Sequence, residues 1–483
     1  MRRVGVGMAL ALGAAAMTLP GSTSEASASH VPCLGGQLVS RWCAAVSRTR
    51  RDSVYPGPAR PVVDALHYRL RLDWAPAQHK LRGAETLTFR ATRDSSVVRL
   101  ALARRIKLTH ARLDGRRVQW RRHGSTLVLQ RPIRRNSVHR VFLRYVRTPA
   151  KARPPLEQRN AVGMFRTERG DIFTNDAPVG AFSWYAVNDQ PSDKAFYDFQ
   201  LAVPAPRVGV ANGRMMSRER RRRQVVTRFH LDRPAASYLI TVEFGRYRRT
   251  GAGTVGRTPV TLWTPRGDRK RDRRALRAAR YLPKALTWLE QRLGRYPFAT
   301  VSVIVVDGYH SGMENQTLVT VGNAPYYRSR EVLLHELAHQ WYGDLVTPRD
   351  WRDVWMNEGM ATYLQQVYAS QHDRVSLEKR MRSFVSIARS YWNVSGPPAR
   401  YHRRPFGDGN VYYPPMLMWH ELRKKVGYDP CWSMVRARPH VHPYGNSGRV
   451  TPIGSKPGSD AISAASFMHG CWARPCRRTT ERS

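Results

Sequence analysis

Six residues constrain this chain more than any other feature: the pentad His335-Glu336-Leu337-Ala338-His339 and the acid Glu358, nineteen positions beyond its second histidine. On an α-helix, residues i and i+4 share one face. Both imidazoles can therefore reach one Zn²⁺, while the intervening Glu can touch a water on that metal. A catalytic zinc takes three protein ligands and keeps one position open. Glu358, in Trp355-Met356-Asn357-Glu358-Gly359-Met360-Ala361-Thr362-Tyr363, is spaced to supply the third from a second helix folding back on the first. Zinc lowers the pKa of its water toward ~7. Glu336 is then placed to take that proton as general base and deliver it to a leaving amine as general acid. The competing reading, two surface histidines on an amphipathic helix, does not account for the third ligand. The sequence therefore predicts one Zn²⁺ per chain, held by His335, His339 and Glu358.

The surroundings divide into two regimes. From about Tyr55 to Tyr247, apolar and polar residues alternate, as in His67-Tyr68-Arg69-Leu70-Arg71-Leu72, Glu85-Thr86-Leu87-Thr88-Phe89 and Arg140-Val141-Phe142-Leu143-Arg144-Tyr145. Turn signals such as Asp114-Gly115 separate these runs, which predicts antiparallel strands with one buried face. The arginine-rich run Arg218 to Arg223 precedes Val225-Val226-Thr227 and reads as a solvated hairpin tip, or as a polyanion contact. Beyond Thr250 the period becomes helical. Leu276, Ala279, Leu282, Leu286, Leu289 and Leu293 recur at 3–4-residue spacing, followed by a buried-type strand Val301 to Val306 and a helical stretch Glu331 to Tyr342. The expected fold class is α+β and multidomain: an antiparallel β domain over 55–250, then a mainly helical domain over 251–428.

Taken together, the motifs resemble the gluzincin aminopeptidases, the group of aminopeptidase N and leukotriene hydrolase. The likeness runs from about 55 to 427. It rests on His335-Glu336-Leu337-Ala338-His339-Gln340-Trp341-Tyr342-Gly343 with Trp355-Met356-Asn357-Glu358-Gly359, on Gly312-Met313-Glu314-Asn315, and on Asn188-Asp189-Gln190-Pro191-Ser192-Asp193-Lys194-Ala195. The resemblance implies a thermolysin-like zinc peptidase domain acting on peptides with a free N-terminus. It also implies substrate binding at Gly312, Met313, Glu314 and Asn315, with the Glu314 carboxylate reading the α-amine. An edge strand there can take an extended peptide through its backbone, and glycine permits close approach. A tyrosine that steadies the oxyanion aligns with Tyr412, with Tyr413 second.

Three features depart from that pattern. Pro414-Pro415 stands where a basic-Gly pair is usual; proline suits a helix's first turn but favours an extended Tyr413, which threatens the placement of Tyr412. Ala177-Pro178 stands where a Gln or Glu precedes Pro, leaving Asp176 as a substitute amine anchor. Finally, 429–483 lacks a sustained helical period and reads as an atypical tail, disordered or frameshifted.

At the other end, Arg2-Arg3, the apolar run Val4 to Leu19 and Ala26-Ser27-Ala28 read as a signal peptide over 1–28 with a linker over 29–54, so the product is expected to be secreted. Cys33 and Cys43 can then close a small loop in an oxidising compartment. Cys431, Cys471 and Cys476 show no metal-like spacing. No other segment is long and apolar enough to span a membrane. The net charge of +46 invites a polyanion reading. Only ten of the 81 cations are Lys, however, a bias that codon usage in a GC-rich genome also produces. The sequence therefore assigns the charge to adhesion on anionic envelopes and expects no specific nucleic acid. The expected function is a secreted zinc aminopeptidase hydrolysing N-terminal peptide bonds. The rivals are a zinc-binding pseudoenzyme of the same fold and a cationic surface-binding protein.

Overall fold

The computed structural model describes residues 40–151, 162–167, 169–267, 269–400 and 406–441. The signal-like segment, Cys33, Cys471 and Cys476 lie outside the described residues.

An eight-stranded sheet dominates the first half. Its strand Val63–Ala75 pairs antiparallel with Lys80–Ala91 and parallel with Lys194–Pro204, which in turn pairs antiparallel with Gln224–Ala236. The alternation read from the sequence is the alternation of burial: Leu70, Leu72 and Trp74 are buried while Arg69 and Arg71 face solvent. Tyr68 and Tyr197 stack in this core at 5.0 Å, and the Tyr185 and Tyr197 hydroxyls lie 3.2 Å apart. The arginine-rich hairpin turns at Arg222, which adopts φ 54° between the strands Arg214–Arg221 and Gln224–Ala236.

A second, five-stranded sheet carries the site. Its order is Tyr247–Val255, Thr258–Pro265, Val301–Val306, Leu318–Gly322, Gly312–Met313, so the last strand is an edge. Val301–Val306 and Leu318–Gly322 run parallel and are buried throughout, as expected where both faces are covered. Six helices follow among the described residues: α1 (Arg269–Leu293), α2 (Arg330–Ala338), α3 (Val354–His372), α4 (Leu377–Ser395), α5 (Tyr413–Val426) and α6 (Tyr428–Val441).

Three expected boundaries shift. Residues 40–54 are not a free linker. Ser40–Ala45 forms a 3-10 turn, the Asp52 carboxylate accepts the N–H groups of Val54, Tyr55 and Trp351, and Asp350 accepts both the N–H and the hydroxyl of Ser53. This segment ties the β domain to the turn ahead of α3. Cys43 is disulfide-bonded. The division at 250 falls inside Tyr247–Val255, which belongs wholly to the second sheet. The tail from 429 begins as a helix. In α6, Cys431, Trp432 and Val435 are buried, and the Tyr342 hydroxyl donates to the Val435 carbonyl at 2.7 Å. The buried face of α6 runs through Cys431, Trp432, Val435, Arg438 and Pro439, and the Arg and Pro within it mask the apolar period in the sequence.

Candidate metal centre and substrate cleft

Ser329 starts α2 by accepting the Val332 N–H, with Glu331 in the first turn facing the positive helix end. The expected helix to Tyr342 stops at Ala338, leaving His339 as its C-cap. His339 keeps right-handed dihedrals (φ −59°, ψ −23°) and donates its N–H to the His335 carbonyl, so the i, i+4 register survives. The chain then reverses at Gly343 (φ +150°), where a Cβ would sit 3.0 Å from the His339 carbonyl oxygen and 3.3 Å from its Nδ1. Only glycine lets the turn close this tightly. The turn is functional in form: His339 Nδ1 lies 3.0 Å from the Tyr342 carbonyl, which accepts its proton and leaves Nε2 with a free lone pair.

Helix α3 brings Glu358 to these imidazoles. Its Oε2 lies 3.2 Å from both His335 Nε2 and His339 Nε2, and the two Nε2 atoms are 3.1 Å apart. Donors bound to one zinc at ~2.0–2.2 Å in tetrahedral directions sit about 3.3 Å from each other. The N, N, O donor set and its spacing therefore fit that ion. The carboxylate is poised to bind as an anion: burial pushes Glu358 up, but His339 and His335 outweigh it and bring its pKa to about 2.

Two further carboxylates close the site. Glu314, Glu336 and His339 present ligand atoms within 4.8 Å of one another. Burial, reinforced by Glu314 and Glu358, holds Glu336 well above the usual carboxylate range against the pull of His339. Glu336 presses on the edge strand so closely that a Cβ on Gly312 would meet its Oε1 at 2.0 Å. The four residues expected to bind substrate separate by strand alternation. Gly312 lines the cleft and Glu314 reaches the carboxylate cluster. Met313 is instead buried in the apolar core, and the Asn315 side-chain amide donates to Thr320 Oγ1. Any contact of Met313 and Asn315 with substrate is therefore left to their backbone.

Tyr412 lies over His335, ring centroids 6.1 Å apart, and lines the cleft. Tyr413 packs against Phe384 (5.3 Å) and Tyr391 (5.7 Å). Contrary to the extended conformation expected before Pro414, Tyr413 is the first residue of α5, its ring contacts overriding the preference. Both prolines fall in the first turn, where an N–H is not needed. Asp176 is no amine anchor, since its buried carboxylate accepts from Trp184 Nε1. The stretch Asn188 to Ala195 is structural: Lys194 Nζ donates to the Asp344 and Leu345 carbonyls, just past the metal-binding turn.

Gln340 follows the histidine pair in the motif, and its task is not legible in the sequence. It is fully buried, its Nε2 donates to the Glu314 carbonyl, and its Oε1 accepts from the Thr317 N–H and the Tyr296 hydroxyl. It thus splints the edge strand to the metal helix. The aromatic walls of the ~800 Å³ cleft, among them Phe165, Phe173, Tyr309 and Phe406, were also missed because they come from four separate segments.

The family model described as the peptidase M1 N-terminal domain matches residues 64–239, and that of the peptidase family M1 domain matches residues 278–390. Aminopeptidase M1-A of Oryza sativa subsp. japonica is 30% identical over 210 residues, 41% of this chain and 24% of that protein. Aminopeptidase N of Acetobacter pasteurianus is 30% identical over 192 residues, 36% of this chain and 53% of that protein. The chain thus spans about a quarter to a half of the length of these curated relatives. Among solved structures, a mutant M1 zinc metallopeptidase from Deinococcus radiodurans superposes with TM-score 0.72 at 23% identity, covering 86% of this chain and 96% of that one. A form of it bound to a Tyr-Ser-Ala substrate gives 0.71 at 25% identity, over 82% and 91%. With both domain models of one family matched in order, and the two-domain fold reproduced, the chain belongs to peptidase family M1.

Proposed function

We propose that this protein is a zinc-dependent aminopeptidase that removes N-terminal residues from peptides. The observation that carries this reading is the convergence of His335, His339 and Glu358 on one point, with Glu314 and Glu336 beside it at the inner end of the cleft. A zinc ion held there supplies a water acidic enough to ionise near neutrality and a Lewis acid for the scissile carbonyl.

The chain's own residues do the rest. Glu336 holds the proton taken from the attacking water and returns it to the departing amine. Glu314 pairs with the substrate's α-ammonium, so only the first peptide bond reaches the metal. The edge strand at Gly312 offers backbone groups to an extended peptide. The Tyr412 hydroxyl donates to the oxyanion. The placement of Tyr412 in the cleft, despite Pro414-Pro415, speaks against an inactive homologue. Export through the signal-like segment at 1–28 is part of the proposal, as is loose adhesion of the cationic surface to anionic envelopes.

The test is metal content together with hydrolysis of a panel of aminoacyl chromogenic substrates. One zinc per chain, turnover of free but not N-acetylated substrates, and loss of turnover with zinc retained in Glu336→Gln are the expected results. Zinc without turnover in the wild type overturns the proposal.

A further inference from the structure

A second cavity, of about 670 Å³, lies in the first half of the chain between the segment at 51–62 and the strands Val98–Ala101, Trp120–His123 and Thr126–Leu129. It shares no lining residue with the metal-bearing cleft. Its walls carry Arg51, Arg60, Arg93 and Arg99, and no carboxylate lines it among the described residues. None of these four arginines forms an ion pair among the described residues. The acids adjacent in sequence are engaged elsewhere: Asp94 accepts the Arg135 N–H at 2.6 Å, and Asp52 accepts the N–H groups of Val54, Tyr55 and Trp351.

Arg60 is fixed in place. Its Nη1 donates to the Gly57 and Ala59 carbonyls and its Nη2 to Thr126 Oγ1 at 2.6 Å, while its buried Nε has no hydrogen-bond partner. Burial, and then repulsion from Arg51 and Arg99, destabilise its charge and lower its pKa. Arg51, Arg93 and Arg99 are exposed, but Arg60 is half-buried beside them without a counter-charge. An anion with several oxygens relieves the repulsion and satisfies the forks bidentately. Elsewhere in the chain, arginines such as Arg90 and Arg207 are paired with Asp64 and Asp171, so abundance of arginine alone does not produce this arrangement.

We infer that this cavity binds a ligand carrying two or more phosphate groups. One orthophosphate neutralises at most two of the four cations, whereas an oligophosphate carries charge enough for all four. Val62, Val97 and Val128 form an apolar side against which a group attached to the phosphates can rest.

The experiment is isothermal titration calorimetry of the full chain with tripolyphosphate, orthophosphate and adenosine triphosphate. Ionic strength is held at about 0.15 M, where diffuse attraction is screened beyond ~8 Å. Two double variants are compared: Arg93→Gln/Arg99→Gln in the cavity, and Arg218→Gln/Arg220→Gln on the distant hairpin. All four side chains are exposed, so both variants should keep the wild-type melting temperature. The expected result is tripolyphosphate binding more tightly than orthophosphate, weakened about tenfold or more by the cavity pair and less than about twofold by the hairpin pair. Equal affinity for adenosine triphosphate indicates that the phosphate chain alone is read; higher affinity indicates use of the apolar side. Equal losses in the two double variants, or orthophosphate binding as tightly as tripolyphosphate, overturns the inference.

Discussion

Gly312→Ala places one methyl group against Glu336, the proposed general base, whose atoms are the nearest three to the added carbon. The added Cβ would lie 2.0 Å from Glu336 Oε1, 2.6 Å from its Cδ and 3.0 Å from its Cγ. Ordinary contact begins near 3.4 Å, so the carboxylate must retreat by about 1.4 Å. The obstructing atoms are the end of a flexible side chain, so the fold should survive. Misplacing a reacting group by ~1 Å costs on the order of 10²-fold in rate. The expected outcome is therefore kcat lower by about 100-fold, equivalent to about 2.7 kcal/mol of barrier, with one zinc still bound. Gly251→Ala, where no atom lies within 4 Å of the added Cβ, should be silent and serves as control. The assay is steady-state hydrolysis of an aminoacyl chromogenic substrate alongside metal analysis. A kcat within threefold of wild type refutes the reasoning. A raised KM at unchanged kcat does so as well, because it shows that the strand yielded and Glu336 did not.

Other perturbations test the supports around the site. Gly359→Ala drives a Cβ to 2.3 Å from that of Pro415 and 3.2 Å from its backbone carbon; this overpacking should cost about 1–3 kcal/mol in urea denaturation and lower kcat by moving the start of α5. Gln340→Leu leaves the Glu314 carbonyl and the Thr317 N–H unpaired, while the Tyr296 hydroxyl keeps the Thr300 carbonyl; a loss of about 2 kcal/mol and a raised KM are expected. Asp198 is pushed up by burial but pulled further down by His230 and His67, while the bond to Asp198 raises His230. The Asp198 contribution is present above its unfolded pKa of ~3.9 and fades on acidification, while that of His230 is full below ~6.5 and fades as pH rises through its folded value. Asp198→Asn should therefore destabilise most between about pH 4 and pH 6.5 and less at pH 8, as denaturant midpoints at pH 5.5 and 8 can show. A chelator should abolish hydrolysis while leaving the far-ultraviolet circular dichroism unchanged, and activity should return in proportion to zinc, saturating at one per chain.

What was legible in the sequence was what a local period encodes. The three residues proposed to hold zinc share an i, i+4 face and a second helix, and the strands Val63–Ala75 and Lys80–Ala91 alternate with the pleat, so pattern alone indicates that the three side chains meet and that the strands pair. The motif Gly312-Met313-Glu314-Asn315 does not reveal which side chains face the cleft, because successive side chains of an extended segment point to opposite faces and those of Met313 and Asn315 turn inward. What stayed hidden depends on pairs distant in sequence. The aromatic walls converge only when the β domain meets the helices, and Gln340 gains its task only when Tyr296, Glu314 and Thr317 surround it. Pro414-Pro415 is the sharpest instance. Read alone, it threatens the start of a helix and the tyrosine ahead of it. In the fold, Pro415 occupies the space left by the missing side chain of Gly359, one residue after the third zinc ligand. Tyr413 is held helical between Phe384 and Tyr391, and Tyr412 faces His335. The apparent defect is one half of a contact whose other half lies 56 positions earlier in the chain, and that contact packs the start of α5, with Tyr412 just ahead of it, against the helix that carries Glu358.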